Sequence, residues 1–89
     1  MSLIFTRRAL RDLVNILTYI ADDNPDAASR VAVELVAACD RLENFPERGR
    51  PELKRGTREL TAVWPYVIVY RITAAHIEIL AIWHGAQDR

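Results

Sequence analysis

The sequence predicts an α+β fold in which a short N-terminal strand and an antiparallel two-helix hairpin pack on a C-terminal antiparallel β-meander. Two patterns predict this fold. Apolar residues recur every three or four positions from Arg7 to about Asn44, as in amphipathic helices. From Thr57 onward they alternate with a period of two, as in strands. With 89 residues, 51% of them hydrophobic, we expect a single domain, 1–89, with some apolar surface left for a partner.

The first half of the chain predicts a strand and two helices. Ser2 to Phe5 has the pattern of a short strand, and Thr6 is placed to cap a helix that runs to about Asp22. Asn24 followed by Pro25 predicts a break and a second helix, and so short a turn makes the two helices antiparallel. The buried stripe of the first helix is predicted to contain Leu10, Leu13, Ile16, Leu17 and Ile20.

A basic loop then separates the helices from the strands. Pro46, Gly49, Pro51 and Gly56 disfavour regular structure until Thr57. The cations of this region could bind phosphate groups or an acidic protein, or they could simply be solvated. They are Arg48, Arg50, Lys54, Arg55 and Arg58.

Alternation along the strands predicts which side chains share a face of the sheet. On YVIVYRI, the side chains of Tyr66, Ile68, Tyr70 and Ile72 point one way. Strict alternation along the last strand places Leu80, Ile82 and His84 on one face and Ile77, Ile79, Ala81 and Trp83 on the other. Two helices cover only one face, so we expect the second to be an exposed apolar docking surface rimmed by cations, unless the sheet curls enough to bury it. The predicted partner-binding residues are Lys54, Arg55, Arg58, Val67, Val69, Arg71, Leu80, Ile82 and His84.

Three of these residues could instead support catalysis. His84 can exchange a proton near neutral pH, and the guanidinium groups of Arg58 and Arg71 could stabilise a charged phosphodiester transition state. A cluster of Arg58, Arg71 and His84 with the loop cations Lys54 and Arg55 would therefore suit phosphodiester cleavage. The same cations would equally suit an acidic protein partner, so the charges alone do not decide between the two.

Composition excludes several other classes of protein. Twelve basic and twelve acidic residues leave no overall field that would draw the chain to nucleic acid or to an anionic membrane. Cys39 is the single cysteine, which excludes an internal disulfide and a thiolate zinc site. We find no Gly-rich phosphate loop, HExxH or G-x-S-x-G motif, and we expect no metal and no cofactor. The start of the chain predicts neither a signal peptide nor a spanning segment, so we expect a cytoplasmic protein.

The order of these elements, and several distinct segments of sequence, resemble the RelE/ParE superfamily of bacterial toxins. The resemblance covers nearly the whole chain. The segments that carry it are ALRDL (9–13), YIADDNPDAA (19–28), FPERGRP (45–51), TREL (57–60), YVIVYRI (66–72) and ILAIWHGAQD (79–88).

The resemblance implies the toxin of a type II toxin–antitoxin pair, of the kind associated with plasmid stabilisation, which assembles with a cognate antitoxin into a hetero-oligomer. RelE-like members cleave messenger RNA in the ribosome, whereas ParE-like members poison DNA gyrase and are not known to need catalytic residues. The ParE-like branch implies a ParD-like antitoxin and no direct binding of nucleic acid. A relative without toxicity, which only binds a partner, is a third possibility.

Two positions favour the ParE-like branch. Where RelE-like ribonucleases carry an arginine just after the first aromatic residue of the YVIVYRI segment, this chain has Val67. Their second catalytic arginine falls near Ala86 or Gln87 here, and the C-terminal tyrosine of many members is missing. Since one preorganised donor alone contributes about 3 to 4 kcal/mol to a charged transition state, we expect a gyrase poison and keep the ribonuclease as the alternative.

Overall fold

The computed structural model describes residues 2–52 and 56–85, and within them the predicted α+β order of elements is confirmed. Two details of the prediction are wrong. The second helix ends at Arg41 rather than near Asn44, and a two-residue strand forms inside the loop that the prolines and glycines predict to be irregular. The elements are β1 (Ser2–Phe5), α1 (Arg7–Asp23), α2 (Pro25–Arg41), β2 (Arg50–Pro51), β3 (Arg58–Val63), β4 (Tyr66–Ile72) and β5 (His76–His84).

The strands form one five-stranded sheet in the order β1-β5-β4-β3-β2. The pairs β2–β3, β3–β4 and β4–β5 are antiparallel, as expected of a meander. β1 lies parallel to β5, with Leu3 opposite Ile77 and Phe5 opposite Ile79. The first and last strands of the chain are therefore neighbours, and β5 is an interior strand along its first half.

Both helices begin at the caps that the sequence predicts. The Thr6 hydroxyl accepts the N–H of Ala9 at 3.1 Å and donates to the carbonyl of Leu80 at 3.1 Å. The Asn24 side chain accepts the N–H of Ala27 at 3.1 Å, and Pro25 follows at the first helical position. Neither helix is long and apolar enough to cross a membrane, as judged on the part of the chain that the structure describes.

The helix hairpin covers one face of the sheet and closes the main core. Leu35 and Leu42 pack there on Ile68, Tyr70 and the inner side chains of β5. Leu13 and Ile16 contact this core as predicted, but Leu10 does not, because 49% of it is exposed. Its predicted place is taken by the buried Ala9, whose small side chain lets the start of α1 approach the sheet closely.

A β-bulge at Leu80 changes the faces of the last strand. Val69 lies opposite Ala81, but the next residue, Tyr70, lies opposite Ile79, so Leu80 has no partner in the register. Strict alternation fails at this point. Beyond the bulge the helix-covered face carries Ile82 and His84, and the opposite face carries Ala81 and Trp83. The prediction that Ile82 and His84 share a face with Val67 and Val69 is therefore wrong.

Candidate functional site

The face of the sheet that the helices leave open is not an exposed apolar surface. Val67 and Val69 are only 2% and 6% exposed, and with Ala81 they form a second small buried cluster. Trp83 lies opposite Val67 in the register and packs against this cluster together with Leu80. The expectation of an open docking surface at Val67 and Val69 is wrong, because the bulge turns Trp83 onto their face.

The cation at one end of this face is neutralised within the chain. Arg71 lies opposite Glu78 on the neighbouring strand, and its Nε is 3.0 Å from the Glu78 Oε1. The Nε2 of His76 lies 3.3 Å from the other carboxylate oxygen. The hydrogen bonds from Arg71 and then from His76 hold the pKa of Glu78 below its usual range. Arg71 is thus part of an ion-pair network at the β4–β5 turn.

A second arginine–glutamate pair lies across the same face. Glu59 is opposite Val69 in the register and is only 2% exposed, which is rare for a carboxylate. Its Oε1 is 3.0 Å from the Nη2 of Arg50 on β2. Because a buried carboxylate needs compensating partners, the guanidinium of Arg50, which lies opposite Glu59 in the register of β2 and β3, supplies one of them.

Arg58 anchors the FPERGRP loop to the sheet. Its Nη1 donates to the carbonyl of Gly49 at 2.7 Å and to that of Glu47 at 3.4 Å. The buried Tyr70 hydroxyl donates to the carbonyl of Pro46 at 2.7 Å and accepts the N–H of Gly49 at 2.8 Å. Arg58, which is predicted to bind a partner or to stabilise a charged transition state, therefore holds a loop in place.

Sequence reasoning misses the part that Tyr70 and Gly49 play in this loop. Alternation predicts only that Tyr70 faces the core, and Gly49 is expected only to break regular structure. A Cβ on Gly49 would lie 2.7 Å from the Tyr70 hydroxyl and 2.9 Å from the Glu59 carbonyl, so the site has no room for a larger residue. A buried tyrosine needs a partner for its hydroxyl, and this need is the signal that could have revealed the contact.

His84 lies on the helix side of the sheet, beside a cleft. Its ring meets Tyr66 edge to face, with centroids 5.7 Å apart. The cleft has a volume of about 560 Å³ and runs between α1 and the ends of β4 and β5. Asp12, which sequence reasoning does not single out, lines it and accepts the N–H of Ile82 at 3.0 Å.

The three candidate catalytic residues do not converge on one site. His84 lies opposite Tyr66, and Arg71 is five residues further along β4. At about 3.4 Å per residue the two positions are roughly 17 Å apart along the strand, and they face opposite sides of the sheet. Arg58 lies opposite Tyr70, four residues from Tyr66. The expectation of a single cluster of Arg58, Arg71 and His84 is wrong.

The other positions weighed in the sequence lie partly outside the structure. Lys54 and Arg55 of the loop, and Ala86 and Gln87 after β5, are not among the described residues. Within residues 2–52 and 56–85, the structure contains no group of three or more histidine, cysteine or acidic side chains that could hold a metal ion. Cys39 is buried in the main core, and this burial raises its pKa to about 12.

Comparison with known proteins assigns the family. A family model described as the ParE toxin of type II toxin–antitoxin systems matches residues 3–89. The chain belongs to the ParE toxin family. Its resemblance to the RelE/ParE superfamily is thereby confirmed over nearly its whole length.

Two relatives match this chain over most of their length. The Sinorhizobium fredii protein Y4kP is 46% identical over 85 residues, which are 94% of this chain and 88% of that protein. Toxin RelE2 of Caulobacter vibrioides is 45% identical and covers 94% of both chains. A solved structure, "Chromosomal ParDE TA system from P. aeruginosa", superposes with a TM-score of 0.84 at 31% identity and covers 94% of this chain and 95% of its own. This ParE family member is thus a RelE/ParE-type toxin of a type II toxin–antitoxin system.

Proposed function

We propose that this toxin inhibits DNA gyrase and is held inactive by a ParD-like antitoxin. The observation that carries the proposal is the separation of Arg58, Arg71 and His84. The two arginines lie on adjacent strands but on opposite faces of the sheet, where they already bind carbonyl and carboxylate oxygens of the chain, and His84 lies four to five residues away along β4, so the three do not surround one transition state. The buried Val67 supports it further, because a ribonuclease of this superfamily would carry an arginine there. Action on gyrase requires only a binding surface.

The antitoxin is proposed from the family description and from the solved P. aeruginosa neighbour, a ParDE system. Among the predicted partner-binding residues, Arg71 and Leu80 keep solvent-accessible surface on the open face of the sheet. We propose that the antitoxin contacts this face at its β4–β5 end. A segment that folds on binding would cover such a surface.

The test is a supercoiling assay with purified gyrase and purified toxin. We expect supercoiling to fall at micromolar toxin and to be restored when the cognate antitoxin is mixed with the toxin first. A toxin sample unfolded by heat serves as the matched control and should leave supercoiling unchanged. If the toxin still inhibits gyrase after the antitoxin is added, neutralisation by the antitoxin is contradicted, and inhibition of gyrase still stands.

The alternative is a ribosome-dependent endoribonuclease, and the name of the Caulobacter relative, RelE2, is the observation that favours it. Cleavage of ribosome-bound messenger RNA, with supercoiling untouched, would overturn the gyrase proposal. Replacement of Arg71 and His84 by alanine should then abolish cleavage while the chain stays folded. Cleavage that survives both substitutions would remove these residues from the catalytic list.

A further inference from the structure

Large apolar side chains are exposed on the outer surface of the helix hairpin. Leu10 and Val14 lie one turn apart on α1, and their exposed fractions are 49% and 59%. Val33 and Val36 on α2 are 69% and 41% exposed. These four residues, which we call the outer stripe, lie away from the core-facing sides of the helices. Soluble domains seldom expose contiguous apolar surface that has no binding role.

Charged residues at the two ends of α1 have opposite signs. Arg7 and Arg11 are exposed near its start, next to Leu10. Asp22 and Asp23 are exposed at its end. None of these four side chains forms an ion pair within the part of the chain that the structure describes. Arg11 and Asp22 are eleven residues apart, which is roughly 16 Å along the helix.

This arrangement of charge opposes the dipole of the helix. A helix N-terminus carries partial positive charge and favours acidic residues, whereas its C-terminus favours basic ones. α1 has no acidic residue in its first turn and no basic residue in its last turn. Without a partner, α1 therefore keeps its basic residues at the positive end of the dipole and its acidic residues at the negative end, which is unfavourable. A partner that places acidic residues at the start of α1 and basic residues at its end would offset this cost.

We propose that the occupant of the outer stripe is a second copy of this chain, related by a two-fold axis with the two α1 helices antiparallel. In that arrangement the Arg7 and Arg11 end of one copy lies against the Asp22 and Asp23 end of the other, and each contact occurs twice. The helix dipoles also run in opposite directions. The two hairpins then form a double helical layer between two sheets, which covers part of the outer stripe.

A uniformly acidic partner helix fits the outer stripe less well. It would be attracted to Arg7 and Arg11 but repelled by the aspartates at the other end of α1, with Asp26 at the start of α2 adding to this repulsion. A copy of the same helix complements both ends. Charge complementarity therefore selects self-association, and it does so independently of gyrase or the antitoxin.

The test is sedimentation equilibrium of the purified chain alone. We expect a dimer at tens of micromolar. Arg11→Glu and Asp22→Arg each place like charges in contact twice and should weaken the dimer at least about tenfold in Kd. An equimolar mixture of the two variants should recover a dimer. In the mixed pair the introduced carboxylate of one variant meets the introduced guanidinium of the other, and the unchanged Asp22 and Arg11 meet in the second contact.

Arg48→Glu is the matched control, since it makes the same change of charge at an exposed loop position away from the outer stripe. It should leave the dimer intact, and circular dichroism should show all three variants folded.

Three results would each overturn the proposal: a wild-type chain that stays monomeric at 100 micromolar, unchanged affinity in Arg11→Glu, or a mixture of the two variants that fails to associate. If the chain is a monomer and its outer stripe is covered only after antitoxin is added, the occupant of the outer stripe is the antitoxin instead of a second copy. Because neither gyrase nor antitoxin is needed to measure the dimer, its failure would leave the proposed function standing.

Discussion

Tyr70 combines two roles in one side chain. Its ring is wholly buried in the main core. Its hydroxyl binds one carbonyl, that of Pro46, and one amide N–H, that of Gly49, in the FPERGRP loop. Burial, the largest effect, raises the pKa of the hydroxyl, which stays a neutral donor to the carbonyl of Pro46. Arg58 holds the same loop from the adjacent strand. Two residues thus fix the path of a segment whose glycine and prolines would otherwise leave it irregular.

We predict that Tyr70→Phe destabilises the fold by about 1 to 3 kcal/mol, because it leaves the N–H of Gly49 and the carbonyl of Pro46 without their buried partner. Urea unfolding followed by circular dichroism measures the change. Tyr19→Phe is the matched control, since Tyr19 is 81% exposed and loses no such contact. Equal stability of the two variants would show that the Tyr70 hydroxyl does not hold the loop.

Among the elements, α1 and β5 are joined by Thr6 at the bulge. The Thr6 hydroxyl caps α1 and also donates to the carbonyl of Leu80, while its N–H donates to the carbonyl of Ile79 at 3.0 Å. The bulged residue, Leu80, has no partner in the register with β4, and the Thr6 hydroxyl binds its carbonyl. One cap therefore stabilises both the start of a helix and an irregularity in a strand.

We predict that Thr6→Ala costs about 1 to 2 kcal/mol of unfolding free energy, whereas Asn24→Ala costs about 0.5 to 1 kcal/mol. Both side chains cap a helix, but only that of Thr6 also binds the sheet. Denaturant unfolding of both variants under the same conditions makes the comparison. A larger loss in Asn24→Ala would mean that the contact between Thr6 and Leu80 contributes nothing.

At the scale of the whole molecule, the helix hairpin has one side in the core and one side in solvent. Leu35 is 1% exposed in the main core, and Val33, two residues earlier on the same helix, is 69% exposed. The chain has only 89 residues, so its core is small and each buried side chain carries a large share of the stability. The outer side adds little to the folded monomer and is available for association.

We predict that Leu35→Ala lowers the free energy of unfolding by about 2 to 5 kcal/mol, through lost burial and the cavity left behind. Val33→Ala should stay within about 0.5 kcal/mol of the wild type when it is measured at low micromolar concentration, where the monomer dominates. Thermal and urea unfolding at two protein concentrations would check both values. A large loss in dilute Val33→Ala would show that the outer side also supports the monomer.

The local patterns of the sequence were sufficient for the two helices, the four longer strands and the family, but not for the two-residue strand β2. The helix caps Thr6 and Asn24, the strand Tyr66–Ile72 and the break at Pro25 each depend on neighbouring residues, so a single stretch of chain reveals them. Segments such as FPERGRP and YVIVYRI indicated the toxin superfamily, and the ParE family match confirmed it. The amphipathic pattern also separated the helices from the strands correctly.

Only the tertiary structure decided what the candidate residues do. The bulge at Leu80 moves Ile82 and His84 to the face opposite Val67, and it arises from the register between β4 and β5, which no local period encodes. The contacts of Arg58 and Arg71 depend on which strand and loop lie beside them, so the sequence could give their charge but not their partners. The sequence by itself determined the main elements and the family, because those depend on neighbours in the chain. The structure decided which faces are buried and which charges are neutralised, because those depend on neighbours in space.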